Sequence, residues 1–352
     1  MKKLVSKRSL LLAAGALVGG LAMAGAATAR DLTVVSWGGA YQDAQKAAYF
    51  TPFVEQTKVP MHDESWDGGI GVLRAKVQGG AANWDVVQVE SEELQLGCEE
   101  GLFEKIDWTK VGGKDAYLPA AISDCGVGAI LYNFIMAYDG DKLKTGPASW
   151  ADFFDLAKFP GKRGLRKGPK TNLEFALIAD GVPLNDVYSV LATDAGVDRA
   201  FAKLDAIKSE MIWWEAGAQP PQLLASGEVA MASAYNGRIT AANTKDAKNF
   251  KIVWNESLYT LDSWVVLKGT ENLDQAYTFL NFVGEAKYQK VLPEYISYGV
   301  TNKAASGEIK AELLPDLPTN PKNLENAIQI DTAFWLENLD RLTERFNKWA
   351  AK

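Results

Sequence analysis

Leu32-Thr33-Val34-Val35-Ser36-Trp37-Gly38-Gly39-Ala40-Tyr41 is the stretch from which the architecture follows. Its opening residues are apolar or β-favouring in an unbroken run, the pattern of a strand buried on both faces. Two glycines end the extended run, and a helix is expected over about residues 41–55. The same unit recurs further on. Trp84-Asp85-Val86-Val87-Gln88-Val89 reads as a second strand entering a Glu-rich helix that reaches Cys98. Short β-rich runs follow at residues 129–137, 228–234, 251–254 and 264–267, with helices between them. Ser149, with Asp152 three residues on, has the form of a capping box ahead of Phe153 and Phe154. Asn272 and Gln275 stand in the same relation to Tyr277, Phe279, Leu280 and Phe282. Strands alternating with helices imply α/β layers with largely parallel sheets. In such sheets ligands bind where strand C-terminal ends meet helix N-termini, so the residues just after each strand carry the interest.

Outward from this body, the N-terminus reads as an export signal. Lys2, Lys3, Lys7 and Arg8 form a basic region, the fourteen residues from Leu10 to Met23 carry no charge, and Ala27-Thr28-Ala29 is an A-x-A cleavage site. The apolar run is too short and too rich in Ala and Gly for a membrane anchor. The Lys7-Arg8 pair is slender evidence for a twin-arginine signal, and no cysteine at the cleavage point suggests a lipoprotein. The mature chain is expected to begin near Arg30 and to reside in the periplasm. Losing residues 1–29 takes away four positive charges and no acid, moving the formal net charge from −7 to −11. That acidity argues against nucleic acid and anionic lipid as partners. The remaining length suits two domains of ordinary size. Cys98 and Cys125, placed by export in an oxidising compartment, read first as a disulfide and second as a pair of buried thiols.

Catalytic machinery is hard to find. The single histidine, His62, cannot easily build a Ser-His-Asp triad or a multi-histidine zinc site, and reads as an ordinary loop histidine. Gly164-Leu-Arg-Lys-Gly-Pro-Lys-Thr171 approaches a phosphate-binding loop, but Pro169 stands at the second glycine position. Proline has neither the N–H nor the free φ that a phosphate nest needs. The expectation is no enzyme, no cofactor and no metal.

Aromatic and charged residues gather instead at strand ends. Trp37 closes the first strand ahead of Gly38, Gly39 and Tyr41, where glycines admit a ligand and a helix N-terminus favours a carboxylate. Glu90 and Ser91 follow the second strand. Tyr235-Asn236-Gly237-Arg238 follows the run ending at 234, Asp262 precedes the run at 264, and Tyr298 lies in Ser-Tyr-Gly-Val-Thr-Asn302. Any one of these aromatics could be core. Their repeated placement at strand ends sets them apart as a ligand-binding set. Trp213 and Trp214 are ambiguous, one reaching the cleft while the other packs inside; Trp214 is the one assigned to the ligand. Glu174 is placed early in a helix, where it would favour the positive helix end.

Ser-Trp-Gly-Gly, Trp-Asp-Val-Val, Leu-Ala-Ser-Gly-Glu-Val-Ala-Met with Tyr-Asn-Gly-Arg, and the late Tyr-Gly-Val-Thr-Asn resemble, in this order, the solute-binding proteins of ABC importers, in the branch of the spermidine/putrescine receptors. The resemblance covers essentially the whole mature chain. It implies a two-lobed periplasmic-binding-protein fold of type II, with two mixed sheets, flanking helices and two hinge segments, here near residues 137–139 and 259–263. The first lobe would take residues 30–138 plus about 262–303, the second 139–261 plus about 304–352. The contexts of Cys98 and Cys125 resemble a subgroup with one disulfide in the first lobe. A small-molecule ligand, an inner-membrane ABC permease and a monomeric state are implied; signalling to a chemoreceptor would use the same surface.

In polyamine receptors, by the same resemblance, an aromatic box covers the methylene chain and carboxylates grip the ammonium groups. Trp37, Tyr235 and Tyr298 match the aromatics and Asp262 the main carboxylate. The chain departs from that pattern where the polyamine receptors place two further acids, reading Lys167-Gly-Pro-Lys170-Thr171, and it carries Arg238 after the Asn-Gly. A guanidinium buried beside a dication is repulsive and costly to desolvate. Arg238 for a carboxylate and Asp262 for an ammonium suit a zwitterion, an ω-amino acid such as γ-aminobutyrate, with polyamines as the alternative. Arg238 on the surface in a salt bridge is the competing placement. A ferric-ion receptor would need adjacent tyrosines, which the chain lacks, and a periplasmic hydrolase would need a nucleophile and base.

Overall fold

The computed structural model describes residues 30–79 and 83–352. The export-signal reading falls on residues outside these. Among the described residues, nine strands form one sheet: β1 (Leu32–Ser36), β2 (Met61–Ser65), β3 (Val86–Val89), β4 (Gly126–Asp139), β5 (Arg163–Arg166), β6 (Met211–Trp214), β7 (Met231–Tyr235), β8 (Phe250–Val266) and β9 (Ile328–Gln329). Their order is β2-β1-β3-β8-β4-β7-β5-β6, with β9 on β8. Two parallel triplets stand at the ends. β1 pairs in parallel with β2 and β3, and β5 with β6 and β7. Between them runs a long antiparallel ribbon of β4 and β8.

The ribbon is what makes two mixed half-sheets into one path. At one end Val86–Val89 of β3 faces Ser263–Val266 of β8; at the other, Phe134–Tyr138 of β4 faces Met231–Tyr235 of β7. Between these, Ile130–Asn133 face Tyr259–Asp262 across the ladder. Residues 137–139, expected from the resemblance as a hinge segment, pair with Met231, Ala232 and the start of β8. The runs at 251–254 and 264–267 belong to one strand, which the sequence hides because its middle, from Asn255 to Ser263, is largely polar and contains Glu256 at φ 63°.

Alternation along β1 shows why the strand is apolar throughout. Leu32 and Val34 enter the main core with Tyr41 and Phe53, while Val35 joins Trp66, Val87 and Val89 on the other face. The helix expected over 41–55 is helical from Gly39 to Thr57, with a π-turn at Lys46–Phe50. Pro52 accounts for the change of pitch, since it removes one donor from the helical ladder. Ser149 does cap its helix, its Oγ accepting from the Asp152 amide at 3.4 Å. Asn272 does not cap: its Nδ2 donates to the Asp85 carboxylate instead, at 3.1 Å. Cys98 and Cys125 are joined in a disulfide with a Cα–Cα distance of 5.7 Å. Among the described residues no helix is long and apolar enough to cross a membrane.

Candidate ligand-binding site

The carboxyl ends of the two parallel triplets face one cavity. From the first triplet come Trp37 after β1, Trp66 and Asp67 after β2, and Glu90 after β3. From the second come Arg166 ending β5, Glu215 after β6, and Tyr235 and Arg238 at the β7 end. The ribbon supplies the floor with Ile130, Tyr132 and Asp262, and Tyr41, Gly217 and Tyr298 complete the lining. The wall is largely aromatic. Trp37 stacks on Trp66 at 5.2 Å, Tyr41 meets Tyr298 edge-on at 5.1 Å, and Tyr132 meets Tyr235 at 5.5 Å. Gly237 permits this closeness, since a Cβ there would lie 2.6 Å from the Tyr298 ring.

Arg238 is buried, only 3% exposed, and not a surface residue. It does not pair with Asp262. Its Nη1 donates to the Gly38 carbonyl at 2.8 Å and its Nη2 to the Trp37 carbonyl at 2.9 Å. These bonds join the helix after β7 to the turn after β1, and so one triplet to the other. Gly39, at φ 54°, lets the guanidinium approach: its Cβ position would be 3.0 Å from Nη1. Arg238 Nε makes no hydrogen bond, and neither does Trp37 Nε1. Asp262, equally buried, accepts from Gln88 Nε2 at 3.3 Å through Oδ2, while Oδ1 accepts nothing. Gln88 is itself fixed by Tyr41 and Gln45. Burial, and after it the charge of Glu90, holds the Asp262 carboxyl well above its ordinary pKa. A cation against Oδ1 would restore the ionised form. Two unpartnered buried donors, on Arg238 and Trp37, and one unpartnered buried acceptor, on Asp262, thus share an aromatic box.

Beside them sits a second charged group. Glu90 Oε1 accepts from Arg166 at 2.8 Å, Glu90 Oε2 accepts from Lys170 at 2.8 Å, and Lys170 also reaches Glu92 at 2.7 Å. All four are largely buried. Burial alone would raise Glu90, but Arg166 and Lys170 outweigh it and pull its pKa down to about 2. Glu90 and Glu93 form the capping box of the Ser91–Glu99 helix, and burial, followed by the charge of Glu90, pushes Glu93 up to about 7.

Several sequence-expected residues lie elsewhere. Trp214 is wholly buried behind Tyr235, edge-on at 5.5 Å, and is not part of the lining. Trp213 turns the other way onto Phe346 and Trp349. Neither reaches the cavity, because successive side chains of β6 point to opposite faces and both faces are covered. Ser91 also stands back, donating to the Leu261 carbonyl at 2.8 Å, and Gly38 takes part through its carbonyl alone. Glu174 lies in the Asn172–Ala179 helix, accepting from Trp335 and Tyr188, away from the lining. Trp66, Asp67, Tyr132, Arg166, Glu215 and the supporting Gln88 and Lys170 were not assigned to the ligand from sequence. His62 is exposed on the edge strand β2, and no cluster of metal-binding side chains occurs among the described residues.

A model of the family described as bacterial extracellular solute-binding proteins matches residues 33–319. The γ-aminobutyric acid-binding protein of Pseudomonas aeruginosa is 48% identical over 335 residues, 95% of each chain. A putrescine/cadaverine-binding protein of the same organism is 24% identical, covering 72% of this chain and 77% of its own. A solved γ-aminobutyrate receptor superposes with a TM-score of 0.80 at 35% identity, over 92% of this chain and 98% of that one.

Proposed function

Because the chain belongs to the bacterial extracellular solute-binding proteins, which deliver ligands to ABC importers and are not enzymes, we propose that its cavity captures an ω-amino acid, γ-aminobutyrate in preference. One observation carries the choice. Arg238 Nε, a donor on a cation, and Asp262 Oδ1, an acceptor on an acid that a cation would ionise, are both buried and make no hydrogen bond of ordinary geometry within a single aromatic-lined cavity, where the Tyr298 and Tyr132 hydroxyls lie beside them. A carboxylate against the guanidinium and an ammonium against Asp262 satisfy both. Trp37, Tyr41, Tyr235 and Tyr298 would cover the methylenes between, with ring faces turned to the amine. The identity to the Pseudomonas γ-aminobutyric acid-binding protein, twice that to the putrescine/cadaverine-binding protein, supports the same choice.

The transport step follows from which elements supply the contacts. Arg238 belongs to the second triplet's side, Trp37 to the first, and Asp262 to the ribbon between them. A ligand held by all three favours the arrangement in which the triplets meet and shifts the population towards it. The permease would then recognise that arrangement. In this reading the lobes divide near the Ile130–Asn133 and Tyr259–Asp262 part of the ribbon, the export signal is cleaved, and the mature monomer works in the periplasm. A thermal-shift screen of refolded, ligand-free protein tests the function. At a hundred times its dissociation constant a ligand adds about 2.7 kcal/mol. γ-Aminobutyrate should raise the melting temperature and putrescine, spermidine and α-amino acids should not; a rise with polyamines alone defeats the reading.

A further inference from the structure

Glu90 and Arg166 line the cavity already paired with each other, Arg166 through Nη1, and Glu90 is held by Lys170 as well. With Glu92 they make a quartet of two acids and two bases, closed on itself by three ion pairs of 2.7 to 2.8 Å. The quartet brings no net charge to the site. Of the other charged lining residues, Asp67 and Glu215 are exposed and Glu215 is paired with Lys167 at 2.8 Å, so the buried groups left facing the ligand are one base, Arg238, and one acid, Asp262. We propose that the quartet is the charge-selecting device of this receptor: by neutralising Glu90, Arg166 and Lys170 set the net charge accepted by the cavity at zero. Lys170 does so without lining the cavity. This rests on the zwitterion reading above and deepens it.

Burial makes this an effective filter. The group lies between the Ser91–Glu99 helix and the β5 end, and its side chains are at most 19% exposed. Charges there are weakly screened, so removing one member changes the potential felt by every ligand in the cavity. A device serving only to fasten the two triplets together would behave differently. Its loss would weaken all ligands alike, whatever their charge.

Three ligands of equal chain length separate the two roles: putrescine, γ-aminobutyrate and succinate, titrated by calorimetry into wild type and variants. Arg166→Met leaves an uncompensated acid and should improve putrescine relative to γ-aminobutyrate by at least about tenfold. Glu90→Gln leaves an uncompensated base and should improve succinate relative to γ-aminobutyrate by a similar factor, while lowering putrescine further. Arg166→Lys, which keeps the charge, should restore the wild-type ratios. Melting curves and an intact disulfide establish that each variant is folded, and the two substitutions of opposite sign mean that loss of one still leaves a decisive measurement. Ratios unchanged in the folded variants, parallel weakening of all three ligands, no binding of any, or Arg166→Lys behaving as Arg166→Met would each overturn the proposal. A wild type that prefers putrescine would defeat the zwitterion reading by itself, whereas the direction of the variant shifts decides the present inference.

Discussion

Replacing Arg238 by methionine removes the guanidinium while keeping most of the side-chain volume. In the structure the residue makes two charge-assisted bonds, to the Trp37 and Gly38 carbonyls, and leaves Nε to the ligand. Truncating one side of a buried charge pair costs about 2 to 5 kcal/mol. The two carbonyl bonds are also lost, but water can replace them once the triplets separate, so they contribute less. A combined effect of about 3 kcal/mol, roughly 150-fold in dissociation constant, is expected for γ-aminobutyrate. Arg238→Lys keeps the charge but not the fork, and should cost about 10- to 30-fold. Isothermal titration of ligand-free protein reads both values, and the melting temperature without ligand shows whether the fold is intact. Arg238→Met binding γ-aminobutyrate within about threefold of wild type would refute the placement of the carboxylate.

Other expectations follow from the same geometry. Asp262→Asn keeps the bond to Gln88 but not the charge, and should weaken γ-aminobutyrate by at least about 100-fold in the same titration. Glu174 is pushed up to about 7 by burial. A raised folded pKa gives stability that is full below the unfolded value and lost as pH rises through the folded one. Wild type should therefore lose about 3 kcal/mol relative to Glu174→Gln between pH 4.5 and pH 8, read by chemical denaturation at several pH values; parallel curves would contradict this. Reducing the disulfide, which spans 27 residues, should remove about 3 to 4 kcal/mol and lower the melting temperature by ~5 °C in the absence of ligand.

Trp37 and Arg238 were legible because each follows a strand whose apolar run shows in the sequence, and a strand's end is where α/β sheets bind ligands; Asp262 stood out through the apolar run just after it, although it lies within β8. Arg166 escaped because Arg163-Gly-Leu-Arg166 has no apolar run; β5 is a strand only through its parallel partners β6 and β7. The segment approaches a phosphate-binding loop in spacing, whereas in the fold it places a pair of cations on Glu90. Trp66 was hidden by β2, whose Met-His-Asp-Glu-Ser reads as polar loop and becomes an edge strand by pairing with β1. Tyr132 lies mid-strand, exposed to the cavity only because the ribbon crosses between the triplets. Trp214 shows the converse: the sequence offers Trp213 and Trp214 alike, and position along the chain does not say which face a side chain takes at the end of β6. Long-range pairing, and not local pattern, decided each of these.

The most direct test of the account is a calorimetric titration of refolded, ligand-free wild type with γ-aminobutyrate and, separately, putrescine, which differ only in what stands opposite the shared ammonium. Saturable binding of γ-aminobutyrate at concentrations where putrescine gives no heat is the predicted result. Putrescine binding as tightly as γ-aminobutyrate, or more so, would contradict the assignment of Arg238 to a ligand carboxylate.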